Sequence, residues 1–264
     1  MDYTEFVMGN NAIQFGCDRG TTFWGHFIID QLAVRCYLDD KDPFLVSSGL
    51  GSFSAKPVIQ NKLIQDQSEI SIEYPAQFRD QIAAVHYFAK YSGYDEKGSG
   101  KDNEWHGYTH DRVFRGHIGT SESEPFRVNW NTSMIPDQPG QMAVKALIEL
   151  KNGIFCWSDI LSGLTFPPNR PHVRIIYCTE IPRPFWSRNN QLMTAVFELP
   201  EDLSKAKSVE LHVRIWDGGE GEISEPFTIN GKPYEITTGK AVHDLVYSKV
   251  AVDIKDLGTG SNRI

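Results

Sequence analysis

The sequence predicts an all-β protein: two packed antiparallel β-sandwich or jelly-roll units with very little helix. Three observations carry this. Short runs alternate apolar with polar residues and are rich in β-branched and aromatic side chains. Turn residues separate the runs at close intervals. Helical periodicity is nearly absent, and its best candidate is about one turn at 201–206 (EDLSKA). Many short strands between turns describe a sandwich or jelly roll.

The strands are expected in this order. Residues 22–29 (TTFWGHFI) and 33–38 (AVRCYL) begin the series, followed by 69–74 (EISIEY) and 81–90 (QIAAVHYFAK). Residues 126–130, 142–150, 173–178, 192–199, 208–216, 227–229 and 246–254 continue it. Asp39-Asp40, Pro139-Gly140 and Gly258-Thr259-Gly260 mark turns. Asn152-Gly153 and Asn230-Gly231 are hairpin signals, because tight hairpins want φ > 0 at both central positions.

Three segments follow. Residues 1–77 form an N-terminal β segment, expected to pack with the C-terminal sandwich because it is short for an independent core. Residues 78–166 form a small immunoglobulin-like sandwich with a long insertion at 91–125. The prolines of 166–171 (FPPNRP) mark a linker, since proline removes a ladder donor and stiffens the chain. Residues 172–264 form a C-terminal jelly-roll-like sandwich. The last residues read as a strand, a turn and the start of a further strand, so Ile264 either closes a short edge strand or awaits one from a neighbouring chain.

Composition narrows the function classes. Aromatic residues at 12% and charged residues at 23% are globular, not disordered, proportions. A formal net charge of −8 with no basic patch argues against nucleic acid. The N-terminus has no cationic start followed by an apolar run, and no segment has the ~20 apolar residues of a membrane span. Cys17, Cys36, Cys156 and Cys178 are widely spaced with no CxxC, which fits free thiols in a cytoplasmic, reducing compartment.

The runs GYDEKGSGKDNEWHGY, FRGHIGT and FRVNWNTSMIPDQPGQMAVKALIELKNG, with LHVRIWDGGEGEISEPFTINGKPYEI and VDIKDLGTGSNRI, resemble a little-characterised family. Its members join an immunoglobulin-like sandwich to jelly-roll segments, often in secreted bacterial proteins linked to carbohydrate use. The resemblance covers most of residues 80–264 and implies a fold more than a function. Family members often carry an acidic, glycine-punctuated loop suited to calcium. Here Lys97 and Ser99 stand where carboxylates would sit, and calcium wants six to eight oxygen ligands. No cofactor is therefore expected, with a residual calcium site near Asp95 and Asp102 as the exception.

The chemistry is expected in the insertion. His106, His110 and His117 lie among Asp95, Asp102, Glu104 and Asp111. A histidine beside a carboxylate can be poised near neutral pH, where general acid–base catalysis works best. Arg112 and Arg115 could hold an anionic substrate or an enolate oxygen. His106, His110, Asp111, Asp102, His117 and Arg115 are thus the catalytic candidates. His106 and His110 are spaced i, i+4, but Gly107 and the polar context argue against the helix that zinc binding through that spacing would need. The bland alternative is a solvated loop ordered by ion pairs. Trp24, His26, Tyr94, Trp105, Tyr108, Trp186 and Trp216 are the substrate-binding candidates, since aromatic faces stack on sugars and line apolar pockets. Most aromatics in a β protein are nonetheless core. Strand alternation puts Trp24, His26 and Ile28 on one face, a pattern that core packing explains as well as a pocket does.

No Gly-x-Ser-x-Gly elbow or phosphate-binding glycine loop is present. The expected function is a cofactor-independent isomerase, cyclase or lyase of secondary metabolism, working on a small molecule in an aromatic-lined pocket. The alternative is a carbohydrate-binding sandwich without catalysis. The expected partners are therefore a small-molecule substrate or a glycan, and self-association into a homo-oligomer is open.

Overall fold

The computed structural model divides the chain into two compact units, Met1–Val34 and Arg35–Ile264. It describes residues 12–13, 37–39, 41–93, 104–105, 107–110, 113–116, 118–182, 191–216, 227–235 and 245–264. Only the backbone is described for the strands between 104 and 116, for 214–216 and for 245–248. The second unit is antiparallel β throughout its ladders, apart from one parallel bridge between Leu63 and Thr165.

Its strands are β1 (Lys56–Ile59), β2 (Gln67–Glu73), β3 (Ile82–Tyr91), β4 (Glu104–Trp105), β5 (Gly107–His110), β6 (Val113–Gly116), β7 (Gly119–Ser121), β8 (Val128–Asn131) and β9 (Met142–Leu150). They continue as β10 (Phe155–Trp157), β11 (Leu161–Leu164), β12 (Val196–Leu199), β13 (Val209–Trp216), β14 (Phe227–Ile229), β15 (Lys232–Tyr234), β16 (Leu245–Val252) and β17 (Gly260–Arg263).

A three-stranded sheet, β1-β2-β8, shares one core with a six-stranded sheet. In the larger sheet β3 and β9 run side by side, β4 and β7 pair with β3, and β10 and β11 pair with β9. Period-two alternation sends Val85, Tyr87, Ala89 and Tyr91 of β3 inward, together with Val144, Ala146, Ile148 and Leu150 of β9. They meet Ile70 and Ile72 of β2 and Trp130 of β8. The Tyr87 hydroxyl donates to the Phe126 carbonyl inside this core, and burial pushes its phenol well above the ordinary range.

β3 is also buried on its other face, at Ala84, His86 and Phe88. This explains its nearly unbroken apolar run, since alternation fades when both faces of a strand are covered. His86 is satisfied there by Thr120 Oγ1 at 2.9 Å and Glu149 Oε2 at 3.3 Å.

The described residues of the insertion lie largely in strands. β4 and β7 both pair with β3, at Lys90–Tyr91 and at Val85–Tyr87, so the excursion leaves and returns along one strand. Between them β5 and β6 form an antiparallel hairpin, with Tyr108 opposite Arg115 and His110 opposite Val113.

The C-terminal part contains three two-stranded ladders, β12-β17, β13-β16 and β14-β15. The β14-β15 hairpin has the expected turn, with Asn230 at φ 50° and Gly231 at φ 80°. The β9-β10 turn differs: only Gly153 has positive φ, and Asn152 Oδ1 instead accepts from the Ile154 N–H. Asn262 is fully buried and cross-links the region. Its Nδ2 donates to the Gly258 and Gly260 carbonyls, while its Oδ1 accepts from Gly258 N–H and Asn230 Nδ2.

Several local expectations fail. Residues 201–206 are a turn, in which Asp202 Oδ1 accepts from Ser204 N–H and Ala206 N–H bonds to Leu203 O. A short side chain bonding to its own backbone competes with the helix. Conversely, α1 (Pro43–Ser47) is helical because Asp42 caps the Phe44 N–H and Pro43 occupies the first turn. Residues 173–178 and the first half of 192–199 form no strand.

Candidate functional site

Two proline-bracketed loops line an open cleft of about 360 Å³. One is the β8–β9 connection, carrying Asp137, Gln138 and Gln141. The other is the linker after β11, carrying Phe166, Pro167, Arg170 and His172. The volume lies at the small end of the range for ligand pockets, ~300–1,000 Å³.

The β8–β9 connection is anchored at both ends. Thr132 is fully buried, its N–H bonding to the Asp66 carbonyl and its hydroxyl to the Gln65 carbonyl. Gln138 Nε2 donates to the Ser92 and Pro136 carbonyls, while its Oε1 accepts the Ser92 N–H. The Gln138 amide is therefore consumed in fixing the loop. Gly93 permits the close approach: at φ +87° it has no side chain, and a β-carbon would sit 2.8 Å from Pro136 Cγ.

Asp137 joins the two loops. Its N–H donates to the Val173 carbonyl, its Oδ1 accepts from Val173 N–H at 3.4 Å, and its Oδ2 lies 2.6 Å from His172 Nδ1. The His172 bond foremost holds the Asp137 carboxyl below its ordinary pKa. An ionised carboxylate accepts only, so Nδ1 is the donor, and in a neutral imidazole of that tautomer Nε2 holds the lone pair.

Arg170 is half-buried. Its guanidinium stacks 3.7 Å from the Phe166 ring centroid, and Nη2 donates to the Thr132 and Ile135 carbonyls. Nε and Nη1 are buried with no hydrogen-bond partner. Burial lowers the Arg170 pKa, opposed by the charges of Asp137 and Asp66. An orphaned buried donor is costly, and these two nitrogens are closed off from solvent.

A second cluster lies on the outer face of the six-stranded sheet. Lys145 Nζ sits 4.0 Å from the Trp157 ring centroid, and Phe88 packs 5.5 Å from the same ring. Phe155 and Trp157, two residues apart on β10, share a face and are 51% and 39% exposed.

None of the candidates read from the sequence is among the residues whose side chains are described. His106, Asp102, Asp111, His117, Tyr94, Trp24, His26 and Trp186 lie outside the described residues, as does Asp95. His110, Arg115, Trp105, Tyr108 and Trp216 lie in strands whose backbone alone is described. Among the described residues no group of three or more His, Cys, Asp or Glu is placed to hold a metal ion. Cys156 and Cys178 are free, and burial raises both thiols, so neither is an activated nucleophile. No helix among the described residues is long and apolar enough to cross a membrane.

Sequence reasoning missed Asp137, Arg170 and His172. The available signal was Pro136-Asp137-Gln138-Pro139 against Pro168-Asn169-Arg170-Pro171-His172: charged groups held between prolines, in loops too stiff to be mere connectors. Comparison of the chain with protein-family models, with curated proteins and with solved structures gives no match in any of the three.

Proposed function

We propose that this chain is a cofactor-independent enzyme of the isomerase, cyclase or lyase kind, acting on a small hydroxyl- or carbonyl-bearing molecule in the Asp137–Arg170–His172 cleft. One observation carries the reading: His172 Nδ1 bonds to an ionised Asp137 at 2.6 Å beside a guanidinium with two unpartnered nitrogens. A base with a fixed tautomer can take a proton from carbon next to a carbonyl, and a nearby positive charge favours the oxyanion that forms. The Gln141 amide, which lines the cleft, supplies both a donor and an acceptor for a polar substrate. The free thiols Cys156 and Cys178 suit a reducing, intracellular setting.

Deuterium exchange tests the reading without a known substrate. Protein in D₂O is incubated with a panel of ketoses, hydroxyketones and 2-hydroxy acids, and C–H loss is followed by NMR. Exchange should occur with at least one compound and fall about 10²-fold or more in His172→Gln. A panel without any exchange, or equal rates in the variant, counts against it.

A second reading is supported by Phe155 and Trp157: a carbohydrate-binding surface without chemistry, as the family resemblance of residues 80–264 implies. Exposed aromatic faces stack on sugar rings. Oligosaccharide binding lost in Trp157→Ala and kept in His172→Gln would favour it.

A further inference from the structure

The rim of the cleft carries a cation that the acid–base set does not use. Thr165, which lines the cleft, is clamped to the β1–β2 connection. Its N–H donates to the Lys62 carbonyl and its own carbonyl accepts the Ile64 N–H, which makes the parallel bridge of Leu63 with Thr165. The Lys62 backbone is thereby fixed beside the cleft wall. Its side chain runs past Gly163 of β11, where the pairing with β9 shifts register and φ is +81°. A β-carbon on Gly163 would stand 3.4 Å from Lys62 Nζ and 3.9 Å from Gln141 Oε1. The ammonium and a cleft-lining amide therefore border one small space, which the missing side chain leaves open. Among the described residues Lys62 has no ion-pair partner.

We propose, on the footing that this cleft is the substrate site, that Lys62 is a substrate-binding residue selecting molecules with an anionic oxygen group, a carboxylate or a phosphate. Charge within the cleft supports this. The lining carries one carboxylate, Asp137, and one guanidinium, Arg170, whose charges act on each other. His172 is neutral when it serves as a base. Lys62 therefore tips the rim to positive, in a chain whose formal net charge is −8. An ammonium is a compact point charge with three donors, and the Gln141 amide nitrogen offers a further donor beside it. Together they can hold the oxygens of one anionic group while His172 faces the rest of the molecule. Gly163 matters for the same reason, since any side chain there would crowd the ammonium.

Calorimetric titration with two matched pairs tests the proposal: lactate against lactamide, and dihydroxyacetone phosphate against dihydroxyacetone. The charged member of at least one pair should bind the native chain about 10-fold or more tightly than its neutral partner, as a hydrogen bond to a charged group allows. The pair that responds tells carboxylate from phosphate. Lys62→Gln should erase the preference and leave the affinity for the neutral member unchanged, while Lys62→Arg should keep it. Lys62 is exposed, so both variants should melt with the native chain. Equal affinities within both pairs, or no binding of any of the four compounds, overturns the proposal. So does a preference that survives Lys62→Gln, because Arg170 or His172 then supplies the charge. Binding needs no proton transfer. A Lys62-dependent preference without deuterium exchange would thus uphold the anion site and refute the catalytic reading. Exchange on neutral compounds, with no charge preference and no effect of Lys62→Gln, would do the reverse.

Discussion

Replacing Asp137 by Asn separates catalysis from scaffolding in the cleft. The change keeps the size of the side chain and its Oδ1 acceptor for the Val173 N–H. It converts the partner of His172 from an acceptor into an amide that can donate. Donation to Nδ1 moves the imidazole proton to Nε2, the nitrogen that must act as base. The stability cost is small by the same geometry. The His172 side chain is 84% exposed and the Asp137 side chain 48%, so the pair sits largely in water. Such pairs contribute ~0–1 kcal/mol after solvent screening. Proton transfer, by contrast, should slow by about 10²-fold or more, the usual contribution of a positioned base. Urea unfolding measures the first quantity and deuterium exchange in D₂O the second. A loss above ~2 kcal/mol with unchanged exchange would show that Asp137 only ties the linker to the β8–β9 loop, and the catalytic reading would fail.

Further outcomes are expected. Because the Asp137 pKa is depressed in the folded state, its contribution is fully present above the unfolded carboxylate pKa of ~3.9 and fades as pH falls through the lower folded value; acid titration of stability should show a smaller drop in Asp137→Asn than in the native chain. Asn262→Ala strands the Gly258 N–H, two carbonyls and the Asn230 amide, and at about 1 kcal/mol per bond it should cost roughly 3–4 kcal/mol in urea unfolding; a loss below 1 kcal/mol would mean that water replaces the side chain freely. Tyr87→Phe removes the only polar atom of its side chain and leaves the Phe126 carbonyl unpaired, for a loss of about 1–3 kcal/mol, to be read the same way. Cys156 and Cys178, raised by burial, should react with iodoacetamide at neutral pH more slowly than a free cysteine, and equal or faster modification would contradict their placement.

Much of the fold was legible in the chain because strand signals are local. The alternation of 142–150 and the β-branched run of 208–216 became β9 and β13, and Asn230-Gly231 became the turn its chemistry demands. What failed was local competition. Asp202 bonds to its own backbone and cancels a helix at 201–206, while Asp42 and Pro43 start one at α1 that apolar periodicity did not suggest. The insertion read as a polar loop, yet its described residues include strands, two of which pair with one edge of β3 at separate places. Pairing partners of that kind leave no mark in the inserted residues themselves.

The candidate site was less legible, for a related reason. Asp137, Arg170 and His172 are single charged residues in proline-bracketed turns, with no motif spacing among them. The sequence by itself determined an antiparallel β protein, its hairpins and most of its strands, since period-two burial and turn conformation depend on neighbours in the chain. Only the tertiary structure decided that Asp137 holds His172 and that Arg170 buries two nitrogens with no hydrogen-bond partner. Each of these depends on groups about 35 residues apart in the chain. Burial, orientation and vacancy are properties of the assembled loops, and no residue carries them alone.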